Sequence, residues 1–183
     1  IMGAAIGLVE LSSIAKGIEV ADAMVKRALV EVVVNRTICP GKYMVLVNGD
    51  VDDVNASIET GVELGGHQVV DHFVIPNVHR SVFPALSGIS HTPELRALGI
   101  IESFSVASAI EAADAAVKAA AVDLLEIHIA MAIGGKAYVT LTGDVAAVQS
   151  AVDAGAAVVK RRGLLVEKIV IPSPRKEILA QFF

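Results

Sequence analysis

Cys39 is the only thiol among the 183 residues, and it stands in the segment Thr37-Ile38-Cys39-Pro40-Gly41-Lys42. A thiolate is both a nucleophile and a soft metal ligand, so chemistry is sought here first. A lone free cysteine is ordinarily a small buried hydrophobe, but three features set this one apart. It falls in a loop signal rather than on an apolar strand. Pro40 and Gly41 fix the backbone beside it, which sets the direction of a ligand. In a symmetric oligomer one thiol per chain also becomes several, converging on one axis. Thiolates brought together in that way suit a zinc site or an iron–sulfur cluster.

The histidines compete weakly with that reading. His67 and His72 flank an apolar run, His91 lies in a turn-rich stretch, and His128 is alone in an apolar strand. None has a partner at metal-ligand spacing. Asp52-Asp53 belong to the first turn of a helix, where the helix dipole accounts for them. Zinc-finger, Cys-x-x-Cys, Walker and His-Glu-x-x-His patterns are missing and no catalytic constellation emerges, so the chain is expected not to be an enzyme.

The elements that carry Cys39 come from an unusually apolar chain: 54% hydrophobic, 19% charged, 4% aromatic, with a mean hydropathy of +0.65. The longest stretch without Lys, Arg, Asp or Glu is Ser81 to Pro93, short of the roughly 20 apolar residues of a membrane span. No export signal is legible near the start, and a single cysteine suits a reducing cytoplasm. The net charge of −5 and pI near 5.5 argue against nucleic acid as a partner; Lys160-Arg161-Arg162 is the only basic run. More apolar surface than one small core can hide points to an oligomer.

The chain is a repeat. Residues Ile6 to Val30 align with Leu98 to Val122 at an offset of 92: Gly7 meets Gly99, Glu10 meets Glu102, Ser13 meets Ser105, Ala21-Asp22-Ala23 meets Ala113-Asp114-Ala115, and Lys26 meets Lys118. The offset becomes 94 at Gly41-Lys42 and Gly135-Lys136 and at Gly49-Asp50-Val51 and Gly143-Asp144-Val145, then 96 at Val74-Ile75-Pro76 and Val170-Ile171-Pro172. Two homologous domains are expected, 1–86 and 98–183, with a linker over 87–97 rich in turn residues. In each half a short apolar strand (Ala5–Glu10) leads to a helix capped at Ser12-Ser13. Ile14, Ile18, Ala21, Val25 and Leu29 keep helical spacing along that helix. Two valine-rich strands follow (Val30–Arg36 and Tyr43–Asn48), then a helix opened by Gly49-Asp50 and a strand closed by Pro76. The order β-α-β-β-α-β predicts an α+β fold of two tandem ferredoxin-like domains, antiparallel sheets with helices packed on them.

These residues resemble bacterial microcompartment shell proteins of the tandem-domain (BMC) kind. The resemblance rests on GLVE and GIIE in the first strands, EVADAMVK and EAADAAVK in the first helices, NGDV and TGDV at the second helix starts, and HFVIPNVH and KIVIPSPR near the ends of the halves. It implies a pseudo-hexameric homotrimer that packs edge to edge with other BMC shell proteins, in the microcompartment shell of the bacterial cytoplasm. By the same resemblance Lys26 and Lys118 lie at tile edges, as do His79 and Arg175, although the family's arginine is a histidine at 79. The loops lining the central pore would be Ile38, Cys39, Pro40 and Gly41 in the first half and Met131, Ala132, Ile133, Gly134 and Gly135 in the second. ELSSIAKGIEVADAM, TICPGKY and MAIGGKAY further resemble the tandem shell proteins of propanediol utilisation that hold a 4Fe–4S cluster in the pore. That likeness makes Cys39 the cluster ligand and metal site, with a role in electron transfer or cluster transport across the shell and a possible redox partner in the lumen. A trimer with a metal-free metabolite pore and a ferredoxin-like small-molecule sensor are the alternatives.

Overall fold

The computed structural model describes residues 4–88, 95–129, 134–175 and 177. The first half runs β1 (Ala5–Leu11), α1 (Ile14–Arg27), β2 (Glu31–Ile38), β3 (Lys42–Gly49), α2 (Val51–Gly65) and β4 (Val69–Ile75). After α3 (Val82–Leu86), the second repeats it as β5 (Ala97–Ser103), α4 (Val106–Ala119), β6 (Asp123–His128), β7 (Ala137–Gly143), α5 (Val145–Arg161) and β8 (Leu165–Ile171). His72 lies within β4 rather than beside it. The chain forms two compact units that divide between Val78 and His79, with Gly134 and Gly135 counting with the first. Among the described residues no helix is long and apolar enough to cross a membrane.

Each unit holds a four-stranded antiparallel sheet, ordered β2-β3-β1-β4 in one and β6-β7-β5-β8 in the other. This is the expected ferredoxin-like order. β1 is buried along its whole length, Glu10 included, as a strand apolar at every other position requires. The repeat extends to irregularities. Bulges fall between Glu10 and Leu11 and between Glu102 and Ser103, and again between Val32 and Val34 and between Leu124 and Glu126. Asn48 Nδ2 donates to the Ala5 carbonyl at 2.7 Å, and Thr142 Oγ1 donates to the Ala97 carbonyl at 2.7 Å.

Both first helices start as their serines predict: Ser13 Oγ accepts the Lys16 N–H at 3.3 Å and Ser105 Oγ accepts the Ser108 N–H at 3.2 Å. The face that α1 turns inward is not the one its apolar spacing picks out. Gly17, Val20, Ala21 and Met24 are buried, and Gly17 lies so close to the sheet that a Cβ there would sit 2.4 Å from Tyr43 Cβ. Of the spaced apolar set only Ala21 is inside; Ile14, Ile18, Val25 and Leu29 stay exposed, Leu29 at 87%. In α4 the positions matching Ile14 and Ile18 are Val106 and Ile110, and both are buried. There α3 packs on α4 and β6.

In the second unit α4 and α5 touch through glycine. A Cβ on Gly155 would lie 2.7 Å from the Ala112 carbonyl oxygen and 2.6 Å from Ile101 Cδ1. Backbone cannot step aside as a side-chain tip can, so Gly155→Val must push the helices apart. We expect a loss of about 3 kcal/mol, at the upper end of overpacking penalties, read as a lowered unfolding midpoint in urea. An unchanged midpoint would refute the close approach.

Candidate functional site

β2 ends on the buried Ile38 and β3 begins at Lys42, and these two residues are paired in register, so Cys39-Pro40-Gly41 form the whole turn. The expected loop Thr37–Lys42 is thus narrower. Gly41 has φ +70, a left-handed conformation that side chains resist. Cys39 is a free thiol, partly exposed, and Pro40 is exposed beside it. Gly135 (φ +82) packs on this turn, where a Cβ would lie 2.8 Å from Pro40 Cδ and 3.2 Å from the Cys39 carbonyl oxygen. Two of the expected loop segments therefore meet at Cys39. Met131, Ala132 and Ile133 lie outside the described residues.

Among the described residues no group of three His, Cys, Asp or Glu side chains could hold a metal. A metal at Cys39 would therefore need further donors, and the same thiol of other copies is one source of them. Cys39, a free and partly exposed thiol on its turn, fits a site of that kind.

Below each turn lies an ion pair that motif reasoning passed over. Lys42 Nζ, directly after the Cys39 turn, donates to Glu10 Oε1 at 2.7 Å. Lys136, directly after Gly135, pairs with Glu102 in the same way. The pairs differ in depth: Glu10 is 1% exposed and its Oε2 is buried without a partner among the described residues, whereas the Glu102 side chain is 28% exposed. A signal for them existed. A glutamate recurs in otherwise apolar first strands, and a lysine recurs after both glycine turns.

Of the four expected edge residues, the two lysines occupy the ends of the first helices. Lys26 and Lys118 lie in the last turns of α1 and α4. Each donates to the aspartate four residues earlier, Asp22 and Asp114, at 2.5 Å. His79 is exposed, its Nδ1 is 2.7 Å from Ser81 Oγ, and its backbone N–H donates to Asp114 Oδ1 at 2.7 Å. Arg175 is exposed.

The family model described as the BMC domain matches the chain twice, over residues 5–78 and 97–174. The chain belongs to the BMC-domain family. It is 47% identical over 180 residues to the bacterial microcompartment shell protein PduT of Citrobacter freundii, covering 98% of each chain. The shell protein EutM of Salmonella typhimurium is 44% identical over 84 residues, 46% of this chain and 85% of EutM. Among solved structures, a microcompartment protein from Desulfitobacterium hafniense DCB aligns with a TM-score of 0.89 and 53% identity, over 95% of this chain and 97% of that one. The chain is thus a microcompartment shell protein of the tandem BMC type.

The two BMC domains diverge most visibly in polar chemistry on β6 and β7. His128 Nδ1 lies 2.9 Å from Glu126 Oε1, Tyr138 Oη donates to Glu126 Oε2 at 3.5 Å, and the His128 and Tyr138 rings stack at 4.8 Å and 4°. The register places Val34, Arg36 and Met44 at the same points of the first BMC domain. His128 is therefore a satisfied histidine. Burial, with the Glu126 carboxylate beside it, pushes the Tyr138 phenol above the usual tyrosine value. A phenol that holds its proton more tightly folded than unfolded contributes stability below the ordinary tyrosine pKa of about 10, lost as pH rises through the folded value. Tyr138→Phe should flatten that alkaline decline in thermal melts. An equally steep decline in the variant would assign it to other groups.

Proposed function

We propose that three copies of this chain close into a pseudo-hexameric tile of a microcompartment shell, and that their three Cys39 thiolates hold one 4Fe–4S cluster in the central pore. The unequal burial of matching helices carries the first part. Ile18 is 55% exposed on α1 while its counterpart Ile110 on α4 is 0% exposed. β2 is exposed along most of its length while β6 is largely covered. A chain that leaves one end of its repeat bare and covers the equivalent end is suited to head-to-tail association, which forms a closed ring when the rotation permits. Three two-domain chains make a ring of six domains. The 47% identity over nearly the whole chain with PduT, a microcompartment shell protein, supports a place for that ring in a shell.

Cys39 carries the second part: a free, partly exposed thiol on a turn met by the second loop's Gly135. Bound there, a cubane supplies one-electron transfer and an iron site open to a small ligand. The chain's own residues do the holding. Pro40 and Gly41 set the direction of the thiol, and the Glu10–Lys42 pair fixes the strand that leaves the turn. Lys26, Lys118, His79 and Arg175 fall on the tile rim, facing neighbouring shell proteins, and a redox enzyme inside the compartment is the natural partner of the cluster. The reading assigns no catalysis to the chain.

Native mass spectrometry of anaerobically reconstituted protein tests both parts. The expected species is a trimer carrying the mass of one cluster. An iron-free trimer would leave a metal-free pore, and a monomer or dimer would overturn the tile.

A further inference from the structure

The segment that leaves the first domain does not fold back on it. The chain divides into its two units between Val78 and His79, so α3, the first helix after β4, belongs to the second unit. There it packs on α4 and β6, with Val82 and Ala85 both 0% exposed. Just ahead of it, the His79 N–H donates to Asp114 Oδ1 on α4 at 2.7 Å. The elements that receive this arm are dry. Val106 and Ile110 on α4 and Leu124 and Leu125 on β6 are all at most 5% exposed.

The first unit presents the same face without an arm. Ile14 and Ile18 of α1, at the positions of Val106 and Ile110, are 41% and 55% exposed. Val32 of β2, which the register places where Leu124 stands, is 41% exposed. Asp22, at the position of Asp114, is exposed as well. The repeat itself supplies a cover. At the offset of 96 that aligns Val74-Ile75-Pro76 with Val170-Ile171-Pro172, the counterpart of 79–86 is 175–182. Ile178 falls on Val82, Leu179 on Phe83 and Phe182 on Leu86, which keeps the arm apolar, while Gln181 falls on Ala85. Residues 178–183 lie outside the described residues. The matching seat on the second unit is already taken by α3, so the α1–β2 face is the equivalent place left to fill.

We propose that residues 178–182 of one copy seat on the α1–β2 face of the next copy, as Val82–Leu86 seat on α4 and β6, with the Arg175 backbone N–H donating to Asp22 of that next copy. This rests on the tile reading and goes further, naming the segment that joins the copies and the face that receives it. Every domain then passes its arm forward to the following one, and after a second domain the following one is the first domain of another copy. Such a contact is heterologous and closes when the rotations complete a circle. Ile14, Ile18 and Val32 become interior to the ring, which accounts for an apolar strip on a chain that otherwise buries its core.

Two full-length variants test the contact from its two sides. Ile178→Asp/Phe182→Asp charges the arm, and Ile18→Asp charges the face. Each should raise the concentration at which the trimer dissociates at least about tenfold, since a carboxylate brought unpaired into an apolar contact is strongly unfavourable. Circular dichroism should stay as in wild type. The seat itself is read with benzoyl-phenylalanine in place of Phe182. After irradiation this chain should run on a denaturing gel as covalent dimers and trimers, with the linked peptide coming from α1 or β2. Variants whose trimers resist dilution as wild type does, or links confined to single chains, overturn the proposal and leave the tile standing. Wild type that forms no trimer removes the tile reading, and the proposal with it.

Discussion

Trimers of the Cys39→Ser variant should take up no iron under anaerobic reconstitution, whereas wild type should take up one cluster for every three chains. On the proposed reading the effect is all or none, because the ligand set would be one residue counted three times and the substitution would remove every thiolate at once. A serine hydroxyl is a poor substitute, since iron in such clusters is held by thiolate sulfur and an alkyl hydroxyl is not ionised at neutral pH. The fold should not notice. Cys39 is a free thiol on a turn shaped by its neighbours Pro40 and Gly41, and surface changes of this kind usually stay within about 0.5 kcal/mol. Iron and sulfide counts, visible absorbance and sizing read the outcome together. A variant that keeps its colour would place the cluster on other residues, and one that loses its oligomer would make Cys39 structural.

The second large effect lies beneath the turns. Lys42→Met strips the partner from Glu10, a carboxylate 1% exposed whose other oxygen already lacks one among the described residues. Leaving such a charge buried alone costs about 3–5 kcal/mol, a large part of the roughly 5–15 kcal/mol that holds an ordinary protein folded. Lys136→Met breaks the matching pair with Glu102, but there both groups reach solvent. Water can take over the lysine's role, so the cost should fall to about 1 kcal/mol or less. The midpoints of the two variants in urea should therefore separate clearly, with Lys42→Met the lower. Equal losses would mean that depth does not govern the two pairs. Glu10→Gln/Lys42→Met, which removes both charges, should recover most of the loss.

Much of the architecture was legible because the chain states it twice. Glycines, cap serines and valine runs recur at fixed offsets, and the sheet order and even the bulges follow that recurrence. What misled was helix α1. Periodic apolar residues mark a face that avoids water, but they do not say which neighbour covers it. Ile14, Ile18, Val25 and Leu29 are exposed in the single chain, while Gly17, which has no side chain to register as apolar, makes the closest approach to the sheet. The position of Cys39 was plain from its Pro-Gly context. The Glu10–Lys42 pair was not, because its members are 32 residues apart and meet only once β1 and β3 lie side by side. The difference between the two rims was equally hidden. Lys26 and Lys118 look alike as letters, yet Asp22 is exposed whereas Asp114 is buried and accepts the His79 N–H.

One cysteine per chain also sets how such a centre would age. A site built from three separate chains survives only if every contributor is undamaged, so its intact fraction falls as the cube of the fraction of unoxidised thiols. Mild oxidation that leaves most chains sound would silence a disproportionate share of tiles. Mixed tiles of wild-type and Cys39→Ser chains would follow the same cubic dilution, so a titration of one chain with the other would count the thiols at each centre.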